Sequence, residues 1–558
     1  TLEGIKMTSQ QTEQITGGDL VAQALEAAGV ETVFGIISIH NLPIYDAIGR
    51  NGVIRAITNR SEPGAVNMAD GYARATSKLG VAITSTGTGA GNAAGALIEA
   101  QVAGTPLLHL TGQIDSAFLD QGRGYIHEAR DQFGMLKAIS KEAYRVRTAA
   151  ALPSVIQAAI RSALTPPMGV VSVEIPIDFQ KAKINPARLD LLPPPTPTPD
   201  AGQVAWATQL LRSARRPLIW AGSGVIASNA EKELTELAEM LGAAVLTSQA
   251  GRGALPEDHP QCIGFFGSNP ALRDFIQGCD LLLAVGTKLR GQETGNWKLP
   301  LPATQVQLDI DPLSIGRGYP ATAGIVADAR PGLQALIEQL RGQLDPDPAF
   351  LAEIGAARKA VRAQIRSTLG PYEQIVDELR ATLDRDGILV RDITISASTW
   401  GNKLFEIYGP RQSIHASGGG IGQGWQMALG VKLGQPDKQV VVLCGDGGFL
   451  VNCGEMATAA QEKIPVVALL FNDGGYGVIR NIENKHYGGR VFAVDLQSPD
   501  FQKLAEAFGL NSYRVKALEE FRPALEAALT SGQPALIEID MASIGPFAVP
   551  FAGPPQEA

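Results

Sequence analysis

The apolar positions of this chain fall into two recurring patterns. Short unbroken apolar runs alternate with stretches in which apolar residues recur every three or four positions. Leu20–Ala28 has helical spacing, whereas Thr32–Ile37, Gly80–Thr84 (GVAIT), Pro106–Leu110 and Val170–Ile175 are runs of strand length. The rhythm returns in Pro217–Ala221, Ala243–Thr247, Asp280–Val285 and Gln305–Asp309. It returns again in Ile388–Val390, Gln439–Cys444, Val466–Phe471 and Ala535–Ile539. Runs without polar alternation predict strands covered on both faces, and their alternation with helices predicts parallel sheets. The expected fold class is therefore α/β, with three doubly wound parallel-sheet domains.

Two breaks separate these domains. Leu192–Asp200 (LPPPTPTPD) has five prolines within seven residues and predicts an extended linker. Gln343–Pro348 (QLDPDP) is a weaker break, followed by the polar stretch Glu353–Arg366, which suits a surface helix. The predicted domains are 1–190, 200–343 and 367–558. Ligands of doubly wound sheets sit beyond the carboxyl ends of the strands, so the loops after these runs are where chemistry is expected.

Composition narrows the classes. The 558 residues carry 47 Lys+Arg against 56 Asp+Glu, a net charge of −9. Such a chain has no basic stripe to displace counterions, so no nucleic-acid partner is expected. Apolar runs such as Pro465–Phe471 fall far short of the roughly 20 residues a membrane helix needs, so no membrane partner is expected either. The amino terminus (TLEGIKMTSQQTEQ) has no apolar core of a secretory signal. Thr1–Lys6, ahead of Met7, reads as an appended segment. Cys262, Cys279, Cys444 and Cys453 are scattered without a CxxC pair, so a reduced, cytoplasmic protein is expected.

The strongest chemical signal lies in the third block. Gln439–Cys444 runs into Gly445-Asp446-Gly447-Gly448, and Val466–Phe471 ends in Asn472-Asp473-Gly474-Gly475. Glycines let backbone amides approach a phosphate while the carboxylate faces a cation. Either tetrapeptide alone reads as a tight turn. Paired at strand ends one crossover apart, they bring Asp446 and Asp473 to one sheet edge, an all-oxygen set suited to Mg²⁺. The pairing resembles the thiamine-diphosphate motif, in which GDG is followed after a crossover by an Asn-rich turn. The resemblance implies thiamine diphosphate and Mg²⁺ as cofactors, with Gly445, Asp446, Gly447, Gly448, Asp473 and Gly475 binding them. It implies Asp446, Asp473 and the Gly475 carbonyl as metal ligands. The family usually has Asn where Asp473 stands, and the register with Asn472 as ligand remains open.

In the first block, Ile54–Thr58 leads to Asn59-Arg60-Ser61-Glu62-Pro63-Gly64-Ala65. By spacing alone, Glu62 is a first-turn helix carboxylate favoured by the macrodipole. The segment resembles the first-domain motif of the acetolactate synthase, benzoylformate decarboxylase and benzaldehyde lyase superfamily. That implies a pyrimidine-binding first domain, a central Rossmann-like domain and a diphosphate-binding third domain. It also implies Glu62 as the catalytic carboxyl on the aminopyrimidine ring, activating the thiazolium carbon acid. Ser61-Glu62-Pro63 departs on both flanks from the usual His-Glu-Gln or His-Glu-Ala. Gly87–Asn92 (GTGAGN) and Thr111-Gly112-Gln113 match further family segments, and Gln113 matches a cofactor-side glutamine. Ser417–Gly422 resembles the loop that bends the cofactor. There Gly419 would offer its carbonyl and Ile421 would wedge beneath the rings, although plain core packing is the commoner fate of an Ile. Ser396 or Ser398 would bond the diphosphate.

The reaction is read from the remaining loops. Ile37-Ser38-Ile39 replaces the family's Pro-Gly-Gly, and His40 matches a loop histidine of benzaldehyde lyase, with a satisfied, inert histidine as the other reading. Ser85 stands where benzoylformate decarboxylase has a His, and Ile479 where pyruvate decarboxylase has a Glu. The expected function is a thiamine-diphosphate/Mg²⁺-dependent 2-oxo acid decarboxylase or carboligase, transferring an acyl carbanion as acetolactate synthase does. The alternative is a C–C lyase on 2-hydroxy ketones, like benzaldehyde lyase. From other classes stand a non-catalytic family member and a nicotinamide dehydrogenase, the latter lacking G-x-G-x-x-G. The middle block resembles an FAD-binding domain through Ala221–Gly224 and Gly286–Leu289, but the arginine that ends the family's pattern is missing, and FAD is not favoured. His127-Glu128 reads as a helix-face pair, and His109, His259, His415 and His486 receive no role. Substrates are expected to be small 2-oxo acids or aldehydes. Sites of this family lie between two chains, which implies a homodimer as the minimal unit and a homotetramer as the assembly.

Overall fold

The computed structural model describes residues 14–189, 191 and 194–553. Thr1–Lys6, read above as an appended segment, most of the polar amino terminus, Leu192 and Pro193 of the predicted linker, and the last five residues of the third predicted domain lie outside the described residues. Pro194–Asp200 carries neither helix nor strand, in keeping with its prolines.

The chain divides into two compact units, one of Thr1–Asp70 with Lys78–Pro194 and one of Gly71–Ser77 with Pro195–Ala558. In the first unit the strands are β1 (Ile15–Thr16), β2 (Thr32–Gly35), β3 (Arg55–Thr58), β4 (Gly80–Thr84), β5 (Leu107–Gln113), β6 (Glu142–Arg145), β7 (Val170–Pro176) and β8 (Lys183–Ile184). β1 and β8 form a small antiparallel ribbon, and the rest form one parallel sheet in the order β3-β2-β4-β5-β7-β6. The helix Gly17–Ala27 starts on a capping box. Thr16 Oγ1 accepts the Asp19 N–H at 3.1 Å, and Asp19 Oδ2 accepts the Thr16 N–H at 2.8 Å.

The second unit holds two more parallel six-stranded sheets. One comprises β9 (Pro217–Ala221), β10 (Ala244–Thr247), β11 (Cys262–Gly264), β12 (Leu281–Val285), β13 (Thr304–Asp309) and β14 (Ala323–Val326), ordered β11-β10-β9-β12-β13-β14. The other comprises β15 (Ile388–Arg391), β16 (Ser413–His415), β17 (Val440–Gly445), β18 (Val467–Asn472), β19 (Asn511–Val515) and β20 (Ala535–Asp540), ordered β16-β15-β17-β18-β20-β19. Central strands such as β4, β5, β7, β9 and β12 are buried throughout, as unbroken apolar runs demand. The expectation of three doubly wound α/β sheets holds.

One apolar cluster runs from Leu218 and Trp220 through Phe350 and Tyr372 to Trp400 and Phe471, joining the two sheets of the second unit. The helix predicted over Glu353–Arg366 extends from Pro348 to Arg366. It is more than a surface helix, because Phe350, Ile354 and Val361 bury one face in that cluster. The same junction holds a buried ion pair, Arg252 Nε to Glu257 Oε1 at 2.7 Å. Arg252 Nη1 donates to the Gly401 carbonyl at 2.9 Å, so the desolvated guanidinium is satisfied on several sides.

Candidate active site

In the third sheet the winding direction reverses between β15 and β17, the place where doubly wound sheets open a ligand crevice. Asp392 directly follows β15 and is buried. Its Oδ1 accepts the N–H of Ile393 at 2.7 Å and of Gly422 at 3.0 Å, and its Oδ2 accepts those of Gly422 at 3.0 Å and Gly424 at 3.4 Å. One carboxylate thus ties the loop Ser417–Gly422 to the strand tip. Gly422 has φ +77°, and a Cβ there would approach the Gly448 carbonyl to 2.6 Å, so only glycine fits. Asn452 Nδ2 holds the Gly422 carbonyl from the other side at 2.9 Å. Ile421, at the crest of this loop beside Gly448, keeps 38% of its surface exposed and is not a core residue. Gly419 faces open space with φ +88°.

β17 ends in Gly445, and Asp446 opens the short helix Asp446–Val451, so Asp446, Gly447 and Gly448 form its first turn. Asp446 is 1% exposed, and its Oδ1 is buried without a hydrogen-bond partner. Its Oδ2 accepts from Ser498 Oγ at 2.9 Å. Ser498 arrives on a segment that runs back along the next strand tip, with the Tyr476 N–H on the Val494 carbonyl at 2.9 Å and the Leu496 N–H on the Gly474 carbonyl at 3.0 Å. At the end of β18, Asn472 has both ends of its side chain engaged. Its Nδ2 donates to Glu538 at 2.8 Å and its Oδ1 accepts the Gly474 N–H at 3.2 Å. Asp473 is the residue whose carboxyl faces Asp446. Burial and the neighbouring Asp446 charge push the Asp473 pKa up to about 6, and burial raises that of Asp446 as well. Arg480, 4.0 Å from Asp473, offsets this only in part.

Ser396 is fully buried ahead of the π-helical turn Ala397–Gly401, and its Oγ has no partner among the described residues. Thr394, two residues earlier, sets its hydroxyl beside Gly445 instead.

In the first unit, Glu62 begins the helix Glu62–Thr76 that follows β3. Its Oε2 accepts from Asn92 Nδ2 at 3.2 Å. A Cβ at Gly89 would lie 3.0 Å from Glu62 Oε1 and 2.8 Å from Ser85 Cβ, so the glycine-rich start of the helix Thr88–Ala103 leaves room for the carboxylate. His40, after β2, is 2% exposed, and its ring centroid lies 5.1 Å from that of His127. Burial first, then the charges of His127 and Lys181, hold the His40 pKa below its ordinary value. His127 does not lie on a helix, contrary to the sequence expectation. It has φ +66°, and the Glu128 carboxylate accepts the N–H groups of Gly122, Gly124 and Tyr125 at 3.0, 2.9 and 3.0 Å. That local capture, with two glycines at positive φ, folds the segment into a loop.

Gln113 ends β5 and is buried in a polar network. Its Oε1 accepts from Thr86 at 3.1 Å and from the Ile114 N–H at 2.7 Å, and its Nε2 donates to Glu174 at 3.3 Å. Glu174 is in turn paired with Arg145. His109 is a core histidine between Thr84 (2.9 Å) and Ser172 (3.1 Å), and burial takes its pKa down to about 3. Asp392, Thr394 and Ser498 stand at the Asp446 edge of the third sheet without having been singled out in the sequence, and Asn92, quoted there only as the end of Gly87–Asn92, reaches Glu62 in the first unit. Asp392 had a usable signal, since it stands directly after an apolar strand, as Asp446 does.

Three family models match the chain in order. They are those for the thiamine pyrophosphate enzyme N-terminal TPP binding domain (residues 15–135), central domain (204–336) and C-terminal TPP binding domain (395–539). The chain is similar to the probable acetolactate synthase large subunit of Methanocaldococcus jannaschii, 31% identical over 94% of this chain and 91% of that one. It is 34% identical to the probable 2-ketoarginine decarboxylase of Pseudomonas aeruginosa, over 95% of each. It is 32% identical to the acetolactate synthase of Mycobacterium bovis, over 91% of this chain and 85% of that one. Among the described residues no helix is long and apolar enough to cross a membrane. With all three domains matched and nearly the whole length aligned, the chain belongs to the thiamine pyrophosphate enzymes of the acetolactate synthase superfamily, which make or break carbon–carbon bonds of small molecules.

Proposed function

We propose that this enzyme uses thiamine diphosphate with Mg²⁺ to decarboxylate a 2-oxo acid and pass the acyl unit to a second carbonyl or to a proton. The observation that carries this reading is the facing pair Asp446 and Asp473. Two facing carboxyls with raised pKa values, Asp446 buried and Asp473 partly so, one oxygen of them unpartnered, make a poor resting arrangement and a good cation cradle. Among the described residues no cluster of three or more His, Cys, Asp or Glu side chains could hold a metal. An all-oxygen pair of carboxylates suits Mg²⁺, which keeps waters and shares its remaining positions with phosphate oxygens. The commitment of Asn472 to Glu538 and Gly474 supports Asp473 as the ligand.

In this reading Asp446, Asp473 and the Gly475 carbonyl hold the metal. The amides of Gly445, Gly447 and Gly448 receive the diphosphate, with Thr394 a better-placed hydroxyl than Ser396. When bound, thiamine diphosphate would supply an acidic thiazolium carbon and an electron sink for the pair left behind when CO₂ departs. Glu62 holds and returns a proton at the aminopyrimidine nitrogen, Ile421 and Gly419 set the ring orientation, and Gln113 braces the strand tip through Glu174. Glu62 of one copy would serve the Asp446 edge of another, making a homodimer the minimal active unit and a homotetramer the assembly. The similarity to acetolactate synthases and to a probable 2-ketoarginine decarboxylase supports 2-oxo acids as the substrate class.

The test is retention of thiamine diphosphate by purified protein with and without Mg²⁺, followed by CO₂ release across a panel of 2-oxo acids with and without acceptor aldehydes. Cofactor retained only with Mg²⁺, and CO₂ released from at least one acid, is the expected result. Protein that never retains the cofactor refutes the reading.

A further inference from the structure

One edge of the third sheet buries a cation that the chemistry proposed above does not use. The edge strand β16 pairs with β15 so that Arg391 stands opposite His415 and Leu389 opposite Ser413. Side chains two positions apart share a face, so Arg391, His415 and Ser413 lie together on one side of the sheet. Arg391 is 2% exposed and His415 3%. The Arg391 guanidinium donates from Nη2 to Ser413 Oγ at 3.3 Å, but its Nε is buried with no hydrogen-bond partner among the described residues. The same holds for His415 Nδ1, while His415 Nε2 lies 3.4 Å from Ser417 Oγ. A guanidinium does not shed its proton when buried, so the cation needs a counter-charge. The carboxylate that acts on it, Glu257, is already committed to Arg252 through two bonds of 2.7 Å. The other charges around the pair are cationic. Arg252 and Arg74 act on Arg391, and Arg74 Nη1 donates to the His415 carbonyl at 2.8 Å. Burial first, then the charges of Arg391, Arg74, Arg290 and Arg252, hold the His415 pKa well below its ordinary value and keep the ring neutral.

We propose that Arg391 and His415 form an internal binding site for a small monovalent anion of halide size, with chloride as its occupant. The anion accepts from Arg391 Nε–H and from the Nδ1–H of the neutral His415 ring, whose Nε2 accepts the Ser417 hydroxyl. Ser413 steadies the guanidinium from the other side. Two donors set among cationic side chains repel a metal ion and attract an anion. Burial this deep selects for a single charge, because the cost of leaving water grows with the square of the charge and weighs far more on phosphate or sulfate. The site is independent of the thiamine-diphosphate reading, since neither residue belongs to the machinery proposed above. Ser417 opens the loop Ser417–Gly422, so the bound anion also fixes the base of that loop.

The experiment takes the full chain into sodium gluconate, whose anion is too bulky for the site, and titrates in sodium chloride at constant ionic strength while the melting temperature is read. A saturating rise of about 2–4 °C is expected, and sodium bromide should give the same. Crystals grown with bromide should show its anomalous scattering beside Arg391 Nε and His415 Nδ1. Arg391→Met removes the cation without adding a polar group, and should abolish both the rise and the scattering peak. If Arg391→Met does not fold, His415→Phe takes away one donor, leaves the guanidinium, and should raise the chloride midpoint by about tenfold. A melting temperature indifferent to chloride would overturn the site. So would a rise that Arg391→Met leaves intact, a chloride midpoint unmoved by His415→Phe, or water in place of bromide at the guanidinium. A response to sodium phosphate and not to chloride would overturn the halide-sized occupant.

Discussion

The first and third sheets are wound identically, with β3, β2, β4, β5, β7 and β6 corresponding in order to β16, β15, β17, β18, β20 and β19. The likeness extends to side chains. On the outer strand pair of each, a buried Glu faces an Arg in register, Glu174 with Arg145 and Glu538 with Arg514. Each Glu also braces the amide at the tip of the next strand, Gln113 in one sheet and Asn472 in the other. The chemistry at matching tips nevertheless differs. Beyond β17 and β18 stand two carboxylates and a run of glycines, the proposed seat of a cation and a phosphate. Beyond β2, β3 and β4 stand Glu62, His40 and Ser85, among which Glu62 is the group proposed to move a proton. The frame decides where loops end, and the loop residues decide what happens there. The middle sheet adds a third case. At its switch between β9 and β12 the loops bond to each other, the Gly222 N–H to the Val285 carbonyl at 2.8 Å and the Gly224 N–H to the Gly286 carbonyl at 3.0 Å.

This division of labour can be broken experimentally. Glu62→Gln is expected to lower turnover by about 10²–10⁴-fold with cofactor retention intact, as steady-state rates and bound-cofactor assays would show. Loss of retention instead of turnover would erase the distinction between the tips. Asp446→Asn is expected to do the reverse, weakening Mg²⁺-dependent cofactor binding by about 100-fold, roughly 2.7 kcal/mol in equilibrium dialysis. Asp392→Ala leaves the amides of Ile393, Gly422 and Gly424 without their acceptor. A loss of about 2–3 kcal/mol in denaturant unfolding is expected, with no change in the Glu62-dependent step. The smallest effect has the opposite sign. Because folding raises the Asp473 pKa, the folded state binds more protons than the unfolded chain between about pH 4 and 6, and stability falls as pH rises through that window. Asp473→Asn should therefore stabilise the cofactor-free protein by about 1–2 kcal/mol above pH 6, with the gain vanishing near pH 4. Thermal melts at both pH values, repeated with Mg²⁺ and thiamine diphosphate, should show the gain turning into a loss.

Central strands could be read from the sequence to within three residues at either end, because burial on both faces requires an unbroken apolar run. Edge strands could not. β6 (EAYR), β11 (CIG), β14 (AGIV), β16 (SIH) and β19 (NSYRV) escaped notice, and all five are edges with one neighbour and mixed or very short sequences. β3, also an edge, was found because its run IRAIT is largely apolar. The same logic governs the site. Asp446, Asp473 and Glu62 were legible because each stands just past such a run. Ser498 was not, since it arrives on an irregular segment held by backbone bonds to Gly474 and Tyr476. The His40–His127 approach depends on how Glu128 folds its loop, which no periodicity reports.

Ile421 stands partly in water on a loop tied by Asp392 and Asn452, so the apolar surface that the proposed cofactor would cover is on display before anything binds. Covering it with an aromatic ligand transfers that area out of solvent without a matching rearrangement of the loop. Calorimetry should register this as a negative heat-capacity change, with the binding enthalpy growing more favourable on warming, and truncating the side chain to alanine should flatten that slope.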